Sequence, residues 1–342
     1  MEAKRIQWID FGKGLTIFLV FLGHVILGLF DSQQFISLNR SLLTIVELLY
    51  IFHIPVFFAL SGYFFKPLTN LKEFWSFAKK KTVLLGIPYL FYSVIQVVLQ
   101  QIGGSAVRDP AELGDLLTIY KMPLGVSWYL YVLWAIYLSL GLLSVFIRDK
   151  KGLFTLTAIG FVIALLFPIH IYLVQKLLLW SFIFILGSFL REFIKESPNW
   201  RGASYMILFY GVLVVLFMLR WRKLEFIGYT SYDTPDVWGL IFPFSVLFAF
   251  TVYPLLAKIS FASYFIAKGK DSLAIYLLHA PIVSILRIAL IAVGVHSLWL
   301  HLSIGIVFGW LLVNATVWIF KKVPLLSFFL YPQKILKLGV KR

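Results

Sequence analysis

The chain has 342 residues, 61% of them hydrophobic and only 13% charged, with a mean hydropathy of +0.92. Soluble domains carry about a quarter charged residues, so this balance excludes a water-soluble enzyme or binding module and requires an integral membrane protein. The net charge of +16 would point to nucleic acid in a soluble chain; here it reads as the Lys and Arg excess of cytoplasmic loops, and no nucleic-acid partner is expected.

About ten apolar runs are long enough to cross a hydrocarbon core of about 30 Å as helices. They lie near 9–30, 41–65, 82–102, 124–147, 153–169, 175–194, 203–219, 237–257, 271–293 and 299–320. The expected fold is all-α: a polytopic membrane protein of about ten transmembrane helices, one transmembrane domain over 1–342 with no separate soluble domain. The opening stretch MEAKRIQWID leads into a run with no small-residue cleavage site after it, so that run is read as a retained helix and not a signal peptide. With the N-terminus inside, the basic runs at Lys79–Lys81, Lys150 and Lys151, Lys268 and Lys270, and Lys321 and Lys322 all fall on the inner side. This places both termini in the cytoplasm. The stretch RWRK, 220–223, faces outward in this scheme, which is either a shift in topology or a binding feature.

Ionisable residues inside spans are costly, on the order of 2.5–3.5 kcal/mol each, and so are functional candidates. The first span carries Lys13 and His24, eleven residues apart. At about 100° per residue this closes to within about 20° of three turns, so both side chains share a face, about 16 Å apart along the axis. Lys13 either snorkels to the headgroups or faces a ligand. His24 lies about 24 Å along the helix from Trp8, where an imidazole is either a satisfied structural residue or an acid–base group working near neutral pH.

The second span carries Glu47, His53, Pro55 and the pair Ser61-Gly62. Proline removes a helical hydrogen bond, and the small pair admits either a neighbouring helix or a ligand. The ninth span carries His279 about 12 Å in from Asp271 and Arg287 about 24 Å in, with Pro281 between them. Arg287 is either an ion-pair partner of Glu47 or part of a site. Ideal helix rise sorts these residues into two layers: Lys13, His53, Ser61 and His279 toward the cytoplasm, and His24, Glu47 and Arg287 toward the outside. The expectation is a polar path through the bundle with chemistry near its outer end. The absence of cysteine excludes thiol catalysis and thiolate ligands, and the six histidines are dispersed without a carboxylate-rich spacing, so no metal is expected.

Lys13-x10-His24 resembles the Arg/Lys-x10-His motif of the membrane acyltransferase 3 family. FALSG, Phe58 to Gly62, resembles that family's F-x-x-S-G motif, and SWYLYVLW (127–134) and IYLLHAPI (275–282) look like family segments as well. The resemblance covers essentially the whole chain. FHIPVFF, from Phe52, looks closest to the fucose 4-O-acetylase-like and polysaccharide O-acyltransferase branch.

The resemblance implies transfer of an acyl group, typically acetyl from cytoplasmic acetyl-CoA, to a hydroxyl of an envelope carbohydrate or lipid-linked sugar, in a multi-pass protein of the bacterial cytoplasmic membrane. It implies no bound cofactor: acyl-CoA is a substrate. It points to His24 as essential, as general base or as a transient acyl-histidine, with Glu47 orienting or charge-tuning it. Lys13 would contact the CoA phosphates or pantetheine arm, and Arg287 the developing oxyanion or the sugar; His53, Ser61 and His279 complete the substrate-binding set. Some relatives carry a fused SGNH hydrolase-like domain. This sequence ends 22 residues after its last expected span without one, so it is expected either to act alone or to hand the acyl group to a partner. Nothing in the sequence specifies an oligomeric state. The alternative is a transporter or flippase of a lipid-linked sugar, which charged intramembrane residues and kinked helices also suit; the lack of an inverted repeat weighs against it.

Overall fold

Inside a bilayer each N–H and C=O must find its partner within its own segment, and this chain meets that demand with helices. The computed structural model describes residues 5–104, 110–193, 199–221 and 235–331, and among them every regular element is helical. In chain order these are α1 (Gln7–Asp31), α2 (Asn39–Gly62), α3 (Leu71–Lys81), α4 (Ile87–Gly103), α5 (Trp128–Phe146), α6 (Lys150–Leu166), α7 (Tyr172–Leu190), α8 (Trp200–Trp221), α9 (Ile241–Leu256), α10 (Ala262–Lys270), α11 (Ser272–Ala292), α12 (Leu298–Lys322) and α13 (Pro324–Leu330). Span hydroxyls are satisfied locally: Ser61 donates to the Phe57 carbonyl, Ser93 to Tyr89, Thr157 to Leu153 and Thr316 to Leu312. This back-bonding lets Ser and Thr sit in lipid-facing helices.

Among the described residues, nine segments are long and apolar enough to cross a membrane. The tenth expected span is α6, whose 17 residues rise about 26 Å, a short crossing of a core about 30 Å thick. The expected span 82–102 begins earlier, at Leu71. Asn70 caps α3 by accepting from the Glu73 N–H, and a five-residue π segment, Thr82–Gly86, carries the helix on into α4. The Trp134 indole donates to Thr82 Oγ1 at 3.1 Å beside it. The pair Arg222 and Lys223 of RWRK lies outside the described residues.

The chain divides into two interleaved units, Met1–Gly23 with Leu43–Pro67 and Phe146–Ser272, and His24–Leu42 with Leu68–Val145 and Leu273–Arg342. Lipid offers no hydrophobic drive between helices, so close backbone approach and packing hold such bundles together. In the first unit a Cβ on Gly62 would run into the Phe184 carbonyl of α7, and one on Gly187 of α7 into the Ala59 carbonyl of α2. The Gly62 half of FALSG is therefore a packing seam. Likewise Gly14 of α1 meets the Phe265 carbonyl of α10, and Gly269 meets the Asp10 carbonyl. Trp180 stacks between Phe58 and Phe242, 5.1 Å from each.

In the second unit, tyrosine hydroxyls pin the segment before α5. Tyr89 donates to the Ile119 carbonyl at 2.6 Å, Tyr131 to Tyr120 at 2.5 Å, and Tyr276 to Val126. The turn at Gly125 needs φ +43°, a left-handed conformation that favours glycine.

Candidate active site

The second unit brings His24 of α1 and His279 of α11 side by side, with ring centroids 5.0 Å apart and the rings tilted at 53°. His279 is fully buried. Its Nδ1 lies 2.6 Å from the Tyr276 carbonyl, and a carbonyl only accepts, so Nδ1 carries the proton. In the neutral ring Nε2 then holds the lone pair. That atom is buried and has no hydrogen-bond partner in the protein. Leaving a buried acceptor unpaired costs about 1–3 kcal/mol, so the arrangement keeps a proton acceptor ready beside the second imidazole. The carbonyl contact fixes tautomer and ring orientation, as outer partners do for working histidines.

The expected layering put these two histidines at different depths, and the structure puts them together. Depths counted from Trp8 and from Asp271 assume that α1 and α11 enter at one plane. Instead Gly269, just before α11, packs at the Asp10 carbonyl, with Gly14 against Phe265. α11 therefore starts level with a point already inside α1, and His279 rises to meet His24. In the first unit Gly23 lies against Tyr50 and the His53 ring. His53 is buried and edge-on to Tyr50 at 5.0 Å.

Arg287 reaches back to α1, where Nη1 donates to the Gly28 carbonyl at 2.5 Å. A Cβ at Gly28 would meet that nitrogen, so the guanidinium would have to shift to make room for a side chain. The acidic charge acting on Arg287 is that of Asp31, at the end of the same helix. Glu47 is a buried carboxylate on α2 in the first unit, and Ser61, half-buried on the same helix, has its hydroxyl turned to Phe57.

Lys13 also belongs to the first unit. Its ammonium stands 6.0 Å from the half-exposed Phe64 ring, and the Arg191 guanidinium stands 5.8 Å from the same ring and 5.5 Å from Tyr63. Two cations share one exposed aromatic. Arg191 falls near the end of the expected span 175–194, and no spacing rule links it to Lys13. Lys176, the second residue of that expected span, is 1% exposed within α7; its place inside an apolar run is the signal that marks it. Among the described residues no group of three or more His, Asp or Glu side chains is placed to hold a metal.

A family model described as an acyltransferase domain matches residues 6–319. The chain is similar to a nodulation protein NolL of Sinorhizobium fredii, 28% identical over 63% of this chain and 57% of that protein. It is also similar to a nodulation protein NolL of Mesorhizobium japonicum, 25% identical over 63% of this chain and 56% of that one. The chain thus spans a little over half the length of these relatives, and no solved structure matches it. A multi-pass helical protein with a paired-histidine interior, matched along nearly its whole length, this chain belongs to that acyltransferase family.

Proposed function

We propose that this protein is a membrane O-acyltransferase that moves an acyl group, typically acetyl, from acyl-CoA to a hydroxyl of an envelope carbohydrate or lipid-linked sugar in the bacterial cytoplasmic membrane. The observation that carries the reading is the His24–His279 pair, with a buried lone pair on Nε2 of His279. In the step proposed, the acceptor oxygen attacks the thioester carbonyl carbon. Its proton passes to the His24 imidazole as the C–O bond forms, the C–S bond breaks, and the CoA thiolate leaves. In this reading His279 Nε2 receives that proton from His24, and the thiolate is protonated as the pair resets.

Lys13 and Arg191 suit the phosphates of the donor, since ammonium and guanidinium groups recognise phosphate and the exposed Phe64 ring between them suits a planar base. Arg287 suits the acceptor or the oxyanion. Glu47, His53 and Ser61 are proposed to support the polar interior of the first unit. Both termini lie in the cytoplasm in this reading, which requires an even number of crossings and therefore that α6 crosses.

The test is acetyl-CoA consumption by the purified protein, together with mass spectrometry of envelope polysaccharide from cells carrying wild type, His24→Ala or no protein. An ester-sized mass increment found only with wild type supports the reading. Equal acylation in all three, with polymer stranded inside the null cells, replaces it with the transporter.

A further inference from the structure

Beyond the imidazole pair, the second unit carries a further buried histidine, which neither the motifs nor the proposed chemistry uses. His301, near the start of α12, is 2% exposed. Its Nε2 donates to the Val295 carbonyl at 2.9 Å, so in the neutral ring Nδ1 holds the lone pair. Nδ1 is buried without a partner. The Phe35 ring stands edge-on to this imidazole, 5.6 Å away.

Arg287 sits close by in the topology. It lies about 7.5 Å below the end of α11, and His301 about 4.5 Å below the start of α12, on antiparallel helices joined at 293–297. Both helices pack on the same stretch of α1: Arg287 on the Gly28 carbonyl, and Gly305, one turn below His301, on Val25. Arg287 Nε is also buried without a partner. This end of the unit thus offers an acceptor nitrogen, a donor N–H and an aromatic ring, at the level just past the His24–His279 pair.

We propose that His301, Arg287 and Phe35 form the acceptor subsite, and that its ligand is a neutral, polyhydroxylated sugar. A sugar hydroxyl donates to His301 Nδ1, another oxygen accepts from Arg287 Nε, and the Phe35 ring faces C–H groups. The Asp31 charge acting on Arg287 disfavours an anionic ligand in the same place. The placement gives the subsite a purpose: Gly28 is one turn beyond His24 on α1, and Arg287 is two turns beyond His279 on α11, so a saccharide seated there presents a hydroxyl toward the imidazoles. The proposal rests on the acyl-transfer reading above.

The test uses the purified full chain in nanodiscs, acetyl-CoA as donor and a panel of methyl glycosides as acceptors. Loss of one ligand hydrogen bond is on the order of tenfold, so His301→Ala is expected to raise the KM for the glycoside about tenfold or more without a matching rise in the KM for acetyl-CoA. His301→Asn, which restores an acceptor oxygen, recovers part of the loss. Phe35→Ala raises the acceptor KM independently. His296→Ala, at an exposed histidine of the same connection, leaves both constants unchanged. Unchanged acceptor KM in the folded His301→Ala and Phe35→Ala proteins overturns the subsite, as does a rise that falls on acetyl-CoA instead. Wild type that hydrolyses acetyl-CoA but transfers to no glycoside overturns the subsite and leaves acyl transfer standing; wild type inert toward acetyl-CoA overturns both.

Discussion

Tyr276 holds His279 at one end and a loop at the other. Its carbonyl accepts from Nδ1 of His279 at 2.6 Å, and its hydroxyl donates to the Val126 carbonyl, with the Tyr129 ring packed 5.5 Å away. The tautomer of the buried imidazole is thereby tied to the segment that precedes α5. Tyr276→Phe removes only the hydroxyl and leaves the Val126 carbonyl without this donor, which costs about 1–3 kcal/mol. The expected outcome is a lower unfolding temperature and a kcat that falls several-fold while the KM for acetyl-CoA holds. Full activity in a destabilised variant would show that Tyr276 serves the fold alone.

The two imidazoles are expected to act as one unit. His24→Ala and His279→Ala should each lower kcat by about 10²–10⁴-fold, and the double variant should lose little more than the worse single, because groups that share one proton transfer are not additive. The wild-type rate should fall on acidification, because only a neutral imidazole can accept the hydroxyl proton. Additive losses in the double variant would separate the two residues.

Lys13 and Arg191 flank Phe64 from the same unit, and both are expected to act on the donor. Lys13→Ala and Arg191→Ala should each raise the KM for acetyl-CoA about tenfold, equivalent to about 1.4 kcal/mol, with the acceptor KM unmoved. Added salt should weaken donor binding by wild type more than by either variant. Dephospho-acetyl-CoA, which lacks the 3′-phosphate, shows whether that group is the one held: a variant that no longer distinguishes the two donors has lost it.

The glycines divide sharply by what surrounds them. A Cβ on Gly269 would collide with the Asp10 carbonyl, and one on Gly14 with Phe265, whereas Gly202 and Gly211 of α8 have open space. Overpacking costs about 1–3 kcal/mol where side chains can adjust, and here the obstacle is backbone. Gly269→Ala and Gly14→Ala should therefore collapse the yield of monodisperse protein on size exclusion. Gly202→Ala and Gly211→Ala should leave it unchanged or improve it, since alanine favours helix by about 1 kcal/mol.

Most of the helices are legible from apolar run length because hydrocarbon thickness sets a single scale for all of them. α8, α11 and α12 fall within a few residues of their expected bounds. What run length does not carry is the relative height of one helix against another. Gly14, Gly269 and the backbone carbonyls they touch set that height, and it moved His279 from the inner layer to the side of His24. The polar residues His24, His279 and Arg287 stand out in sequence because charge in an apolar run is costly. Arg191 and His301 do not: the first lies among ordinary basic residues at a span end, and the second at the head of a span, where a histidine looks interfacial. Their significance comes from a partner ring in one case and an unpaired nitrogen in the other, and both depend on contacts distant in sequence.

The π segment Thr82–Gly86 is, in effect, one surplus residue stored inside a helix. A π turn holds an extra residue relative to an α turn, so it takes up that residue without the rotation of about 100° that one more α-helical residue would add. α4 presents Tyr89 toward the Ile119 carbonyl with the surplus absorbed in this way. A chain of the same length that closed Thr82–Gly86 as regular α-helix would turn Tyr89 off its target, whereas a chain shortened by one residue here would heal into an uninterrupted α-helix and keep it. In this helix the irregular stretch does the indexing.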